Sequence, residues 1–411
     1  LGLKQYNTYQ ELSENIPKTR KEPTMPANNI ISENSRYPKV LKLHLELDLG
    51  YADDDDIEVL KKRNDMETAI SRDILAPSEM TLHALHYAIQ RAFGWQNRHL
   101  HKFTLPRELF NKVTSDSAAR WMTLAGVYFR FPSEDYPDIY WDDDYKDGQS
   151  IKTWLRKKYT GPFRYKGIGE HYIPCQIKVR RMQKEWPMIT VHEFEKIGGR
   201  RPKPYDVPLK DAAMHQLNCA FMDGTYDELL ERLTLSQIIN APGRAPASDE
   251  DLRAFLDSVS EITIDKEVGK VMKEGFSSQR KMTEFMNNYD PAVLPLTSEL
   301  QYDYDYGEDW EVRISCTGSY DEADGVWTGS DGSNETALGE ALANVAEKRR
   351  PVCIAKDGHE VLDDVGGIMG YCDMLRRLAA REPDDQEWDD IIEWAYSMGW
   401  DGREISAERT L

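Results

Sequence analysis

Val40-Leu41-Lys42-Leu43-His44-Leu45-Glu46-Leu47-Asp48-Leu49 alternates without a break, leucines at the odd positions and Lys42, His44, Glu46 and Asp48 between them. Successive side chains of a strand point to opposite faces, so residues 40–49 predict a half-buried β-strand with its leucine row on a core. Residues 70–75 predict a second strand, ended by Pro77. Leu82, Leu85, His86, Ile89 and Phe93 then recur at i, i+3, i+4, i+7 and i+11, the stripe of an amphipathic helix that stops at Gly94. Residues 98–105 read as another strand, which makes the first module β-β-α-β. Far downstream, residues 301–306 and 310–316 alternate on either side of Gly307-Glu308-Asp309 and predict a β-hairpin with a three-residue loop. Helices are expected over 337–349, over about 371–381 behind Gly366, Gly367 and Gly370, and over 387–397. The fold class is therefore α+β, a mixed β-sheet packed with helices.

The chain has 411 residues, 40% of them hydrophobic and 10% aromatic, enough for a real core and for two domains or one domain with a large insertion. A net charge of −20 opposes indiscriminate binding to nucleic acid or anionic membrane. Cysteines at 175, 219, 316, 353 and 372 form no CxxC pair, which speaks against a disulfide framework or zinc ribbon and fits a reducing compartment. No apolar stretch approaches the roughly 18 residues of a membrane helix. Residues 1–36 are polar, punctuated by Pro17, Pro23 and Pro26, and show no apolar signal core. They read as a flexible lead. The chain opens on Leu1 rather than Met, so an upstream piece is expected, and a cytoplasmic location is the default expectation.

The expected organisation is a split domain, 37–110 plus 294–411, interrupted by an inserted region at 111–293. Within the insertion, residues 151–210 hold fifteen Lys/Arg against five Asp/Glu, a local balance of +10 in an acidic chain. Lys152, Arg156, Lys157, Lys158, Arg164, Lys166, Arg180, Arg181, Lys184, Arg200 and Arg201 are interleaved there with aromatics such as Trp154. Phosphate neutralisation with aromatic stacking is the physics of non-specific or single-strand nucleic-acid binding. The alternative is that this segment pairs with the acidic remainder of the same chain or of a second copy, giving a homo-oligomer through opposite charges. A helical part follows over 226–290, with patterns at 227–239 and 249–259. Ser248 and Asp251 resemble a capping box. The acidic run Asp53–Asp56 reads as a solvated loop.

His99 and His101 lie two apart in a predicted strand and so project from one face, a geometry open to metal ligation. Asp303 and Asp305 likewise share the face opposite Tyr302, Tyr304 and Tyr306. With Glu308, Asp309, Asp363 and Asp364 they supply carboxylates for a hard or borderline divalent metal. If the hairpin pairs with the His99–His101 strand, the two sets converge. The competing reading keeps the histidines structural, hydrogen-bonded to carboxylates in a half-buried core, and makes Asp364 a helix cap beside a Gly366-Gly367 turn. His83 and His86 read as packing residues, and the tyrosines as a packed aromatic ladder. No GxxxxGK[ST], GxSxG or HExxH occurs.

Thr81-Leu82-His83-Ala84-Leu85-His86, Gly94-Trp95, His99-Leu100-His101-Lys102-Phe103, the run from Tyr302 to Trp310, and Asp363-Asp364-Val365-Gly366-Gly367 follow one another in an order that resembles the plasmid pRiA4b ORF-3 family of insertion-sequence passenger, TnpR-like proteins. The resemblance covers about 37–110 and 294–381. It implies a compact α+β domain, a mobile-element context, and His99, His101, Asp305, Trp310, Asp364, Gly366 and Gly367 as signature positions, with Trp95, Trp310, Gly366 and Gly367 structural. Where relatives carry a Cys-Pro-Pro-Glu-Asp run, this chain has His359-Glu360-Val361-Leu362-Asp363-Asp364. The leading expectation is an accessory protein, non-enzymatic, that binds nucleic acid or a protein handling it. The alternative is a metal-dependent hydrolase of phosphodiester type, built on the HxH and Asp-rich hairpin residues.

Overall fold

The predicted strand at 40–49 forms β1 (Val40–Leu47) and becomes an interior strand of the sheet. Its leucines at 41, 43, 45 and 47 are buried and the residues between them half-buried, as the alternation requires. The computed structural model describes residues 37–114, 128–129, 145–146, 148–158, 188–189, 207–208, 228–245, 247–248, 250–252, 254, 294–380 and 385–411. The chain divides into two units, Leu1–Ser35 and Arg36–Leu411, and every described residue belongs to the second.

After β1 come α1 (Asp54–Arg63), β2 (Ser71–Pro77), α2 (Leu82–Phe93), β3 (His101–Thr104), α3 (Arg107–Thr114), α4 (Ile151–Lys158), the short pair β4 (Met188–Ile189) and β5 (Val207–Pro208), and α5 (Leu235–Ile238). The C-terminal part supplies β6 (Glu299–Tyr304), β7 (Trp310–Ala323), β8 (Val326–Gly329), α6 (Gly339–Lys348), β9 (Val352–Asp357), α7 (Gly367–Ala379), α8 (Gln386–Ser397) and α9 (Ala407–Thr410). One seven-stranded sheet runs β3-β6-β7-β1-β2-β9 with β8 on β7, and all its pairings are antiparallel. The two ends of the family-like sequence thus build one sheet, joined by the long pairing of β1 with β7. The fold is α+β. Helix α2 packs into the main core, while α6 lays Leu342 and Val345 against Val40, Leu75 and Trp327 in a second cluster.

Three expectations are corrected. Asp53–Asp56 is not a solvated loop: Asp53 caps α1 in a capping box with Asp56, and the buried Asp56 carboxylate holds Arg376 of α7 at 2.5 Å. Negative charge at a helix N-terminus is favourable, so an acidic run can start a helix. Among the described residues of the pattern at 227–239, only Leu235–Ile238 is helical. Upstream of it, Leu229 donates to the Phe103 carbonyl (2.7 Å), and the carbonyls of Leu233 and Glu231 accept from Leu82 and His83 (2.9 Å each). Extended backbone wins here because it covers the edge of β3 and satisfies first-turn N–H groups of α2. Third, the hairpin turn runs from Asp305 to Asp309, with both aspartates in the left-handed region (φ 49° and 54°), rather than over three residues.

Candidate metal centre

The end of the hairpin decides the site. Along β6, Tyr302 and Tyr304 are buried while Asp303 faces the other way, to Lys102 Nζ at 3.3 Å. Were the alternation continued, Asp305 would follow Asp303. The positive φ at Asp305 breaks it, and its carboxylate swings back to His99: Oδ2 lies 3.5 Å from His99 Nε2. The same nitrogen is 2.8 Å from Asp364 Oδ1 and 3.9 Å from Asp363 Oδ1. Four side chains from three separate segments therefore meet at one imidazole nitrogen.

Each carboxylate is held by one oxygen and offers the other. Asp305 Oδ1 accepts from Gly307 N–H at 3.0 Å. Asp363 Oδ2 accepts from Gln96 N–H at 2.9 Å and from the Tyr304 hydroxyl at 2.8 Å. Asp364 Oδ2 faces Arg98 Nη1 at 3.9 Å. Such outer hydrogen bonds orient ligands at metal sites. Asp363 is completely buried and its Oδ1 has no hydrogen-bond partner. Burial raises the Asp363 pKa above the usual carboxylate range, against the opposing bonds from Gln96 and Tyr304 and the neighbouring His99. His99, Asp305 and Asp364 present ligand atoms all within 4.8 Å of one another.

The loop before α7 is built for close approach. Gly366 (φ 88°) caps the helix, and its N–H donates to Glu308 Oε1 at 2.6 Å while Glu308 Oε2 accepts from Trp310 Nε1 at 2.9 Å. A Cβ on Gly367 (φ 68°) would sit 2.6 Å from the Glu308 carbonyl oxygen. Asp364, itself at φ 56°, is therefore not the helix cap; its side chain goes to His99. Trp95 and Trp310 pack beneath, both buried, with Trp95 stacked on Tyr304 at 5.0 Å.

The remaining candidates do not join the cluster. Strand pairing sets His101 opposite Tyr304, and its Nε2 lies 2.8 Å from Glu231 Oε1 in the core. His83 reaches the other oxygen of Glu231 at 3.2 Å, and His86 stacks on His101 at 3.5 Å while contacting Tyr302 Oη (2.7 Å) and Asn97 Oδ1 (2.6 Å). Burial holds His86 well below the ordinary histidine pKa. Asp303 is tied to Lys102, and Asp309 is exposed. Arg98 and Glu231 carried no sequence signal: one adjoins the HxH run, the other sits in the apolar run Leu229-Leu230-Glu231-Arg232-Leu233.

Of the basic segment, Lys152, Trp154, Arg156, Lys157 and Lys158 form α4. Trp154 is buried edge-on to Tyr87 (5.8 Å), Lys158 is buried over the Trp154 ring (4.6 Å), and Lys152 pairs with Glu360. Arg164, Lys166, Arg180, Arg181, Lys184, Arg200 and Arg201 lie outside the described residues. Among the described residues no helix is long and apolar enough to cross a membrane.

An α+β sheet closed by two distant halves, with a turn and a Gly-Gly loop meeting at one histidine, is the pattern of a split domain. The family model described as plasmid pRiA4b ORF-3-like protein matches residues 60–161 and 329–409 of this chain, a domain split in two segments. The match reaches further than the resemblance after residue 110 and after 381, and leaves out 37–59 and 294–328. A solved protein of unknown function from Methanosarcina mazei Go1 is similar at 14% identity, covering 90% of this chain and 97% of its own, with a TM-score of 0.32. No curated protein matches.

Proposed function

We propose that this protein binds a divalent cation through His99, Asp305, Asp363 and Asp364 and uses it as a metal-dependent hydrolase of phosphodiester type. The observation that carries the reading is Asp363 Oδ1, a fully buried carboxylate oxygen without a hydrogen-bond partner, aimed at the imidazole that two further carboxylates already face. An unpaired buried charge is costly, and a cation removes that cost. Ligand bonds of about 2.0–2.2 Å put neighbouring donors roughly 3 Å apart, close to the separations around His99 Nε2. One imidazole with three carboxylates suits Mn²⁺, Fe²⁺ or Zn²⁺ rather than a soft ion.

The His99 and Asp364 side chains are 28% and 38% exposed, so water and a substrate oxygen have access. In the reaction, water adds its oxygen to phosphorus and the bond to the leaving oxygen breaks. The leaving oxygen takes the proton that water gives up, so no further reactant enters. A cation held by His99, Asp305, Asp363 and Asp364 would supply a lowered pKa for that water, and Arg98 at the rim can meet charge on the transferring group.

The test is calorimetric titration of chelator-stripped full-length protein with Mn²⁺ and Zn²⁺, followed by assay on bis(p-nitrophenyl) phosphate. One bound ion per chain is expected, lost in Asp364→Asn. Absence of uptake refutes the site; uptake without turnover refutes the hydrolase. The second reading, an accessory protein binding nucleic acid or a nucleic-acid-handling partner, draws on the +10 charge of residues 151–210. Its support excludes Trp154, Lys152 and Lys158, which are committed to packing and pairing.

A further inference from the structure

Behind the loop that carries His99, four polar side chains close a hydrogen-bonded ring. His86 and Gln90 stand four residues apart on α2 and share one face of it; Tyr302 comes from β6 and Asn97 from the loop itself. His86, Gln90 and Tyr302 are buried. His86 Nε2 lies 2.6 Å from Asn97 Oδ1, and its Nδ1 lies 2.7 Å from the Tyr302 hydroxyl. Gln90 Nε2 donates to that hydroxyl at 2.9 Å, and Gln90 Oε1 accepts from Asn97 N–H at 2.7 Å.

The direction of each bond follows from one atom. Asn97 Oδ1 can only accept, so His86 carries a proton on Nε2. Burial disfavours the charged imidazole, which leaves Nδ1 as an acceptor. The Tyr302 O–H, kept protonated by its own burial, donates to Nδ1, and its oxygen accepts from Gln90. The carbonyl end of Gln90 is then turned to Asn97 N–H. His101 stacks on His86 at 3.5 Å with the ring planes 8° apart and is held from behind by Glu231, so it walls the ring.

What the ring holds is a turn at a left-handed residue. Asn97 has φ 56°, a region that asparagine tolerates better than most residues but that still needs support from its surroundings. The groups that build the cation centre flank it. Gln96 N–H donates to Asp363 Oδ2, Arg98 N–H donates to the Tyr304 hydroxyl at 3.1 Å, and that hydroxyl donates to Asp363 Oδ2. His99, two residues on, presents Nε2 to the three carboxylates. A rotation at Asn97 therefore moves one ligand and the bonds that orient another.

We infer that His86, Gln90 and Tyr302 are positioning residues of the cation centre, acting through Asn97 on the angle at which His99 and Asp363 face the ion. The inference rests on the cation reading given above and adds to it the buried histidine of α2 that the centre itself does not use.

The experiment is calorimetric Mn²⁺ titration of the chelator-stripped full-length protein, with the visible absorption of bound Co²⁺ as a signature of coordination. His86→Leu and Gln90→Met keep apolar volume and remove bonds of the ring. Each is expected to weaken Mn²⁺ about tenfold or more, the scale on which outer hydrogen bonds act at metal sites, and to shift the Co²⁺ bands. Tyr302→Phe, which deletes a single oxygen, is the mild variant should either fail to fold, with a several-fold loss expected. His86→Gln can still donate to Asn97 Oδ1 and should restore most of the affinity. Leu342→Ala, in the separate cluster under α6, should lower stability and leave Mn²⁺ affinity and the Co²⁺ bands unchanged. Circular dichroism checks the fold of each variant. A parent protein that takes up no ion refutes the cation centre, and this inference with it. Uptake by the parent with unchanged affinity and bands in the folded ring variants, or an equal loss in Leu342→Ala, overturns this inference alone.

Discussion

Replacing Asp363 by Asn reverses the sign of its effect according to whether the cation is present. In the cation-free protein, Asp305, Asp363 and Asp364 all direct an oxygen at His99 Nε2, within 3.9 Å. Two like charges some 4–5 Å apart at an effective dielectric near 20 repel by roughly 3–4 kcal/mol. Asn keeps an acceptor for Gln96 N–H and the Tyr304 hydroxyl, but those bonds lose their charge assistance, about 1 kcal/mol each. The balance is a cation-free variant about 1–2 kcal/mol more stable than the parent above the raised Asp363 pKa. The pH dependence follows from that direction. A carboxyl whose folded pKa is raised adds stability below its unfolded pKa, and that stability is lost as pH rises through the folded value. The parent's apo stability therefore falls with pH in that window, while its cation affinity rises and each bound ion displaces a proton. With Mn²⁺ at about one hundred times its Kd the parent gains about 2.7 kcal/mol and the variant very little. The assay is urea unfolding from pH 5 to 8, with chelator and with Mn²⁺. A variant destabilised equally under both conditions would refute the reasoning and leave Asp363 as an ordinary buried hydrogen-bond acceptor.

Gly367→Ala forces a Cβ within 2.6 Å of the Glu308 carbonyl oxygen at a positive φ, so it should cost about 2 kcal/mol or more and weaken cation binding by displacing Asp364; thermal unfolding and the Mn²⁺ titration check both. Glu231→Gln removes the charge that His83 and His101 share in the core, and a loss of about 3 kcal/mol is expected in urea unfolding. Trp154→Ala removes the ring that lies between Tyr87 and Lys158 and should cost about 3–5 kcal/mol, with α4 losing protection in hydrogen exchange.

Much of this protein was decided locally. The leucine alternation of 40–49 made a strand whatever its neighbours were, because a period of two can bury only one face. The stripe at 82–93 and the glycine after it likewise set α2 and its end, and Gly94 does adopt the left-handed cap. The histidines and aspartates were visible as chemistry-bearing residues for the same reason: their types and spacing are in the chain. Which of them meet was not. Strand periodicity places His99 with His101 and Asp303 with Asp305, yet a left-handed residue at 305 and the position of a loop sixty residues away draw His99, Asp305, Asp363 and Asp364 together. His101 goes instead to Glu231, delivered by a segment whose leucines suggested a helix until an open sheet edge and the first-turn N–H groups of α2 claimed its backbone. Local sequence determined the elements, since periodicity and capping act within a few residues. The site belongs to the tertiary structure, since positive-φ turns and long-range closure decide which faces converge.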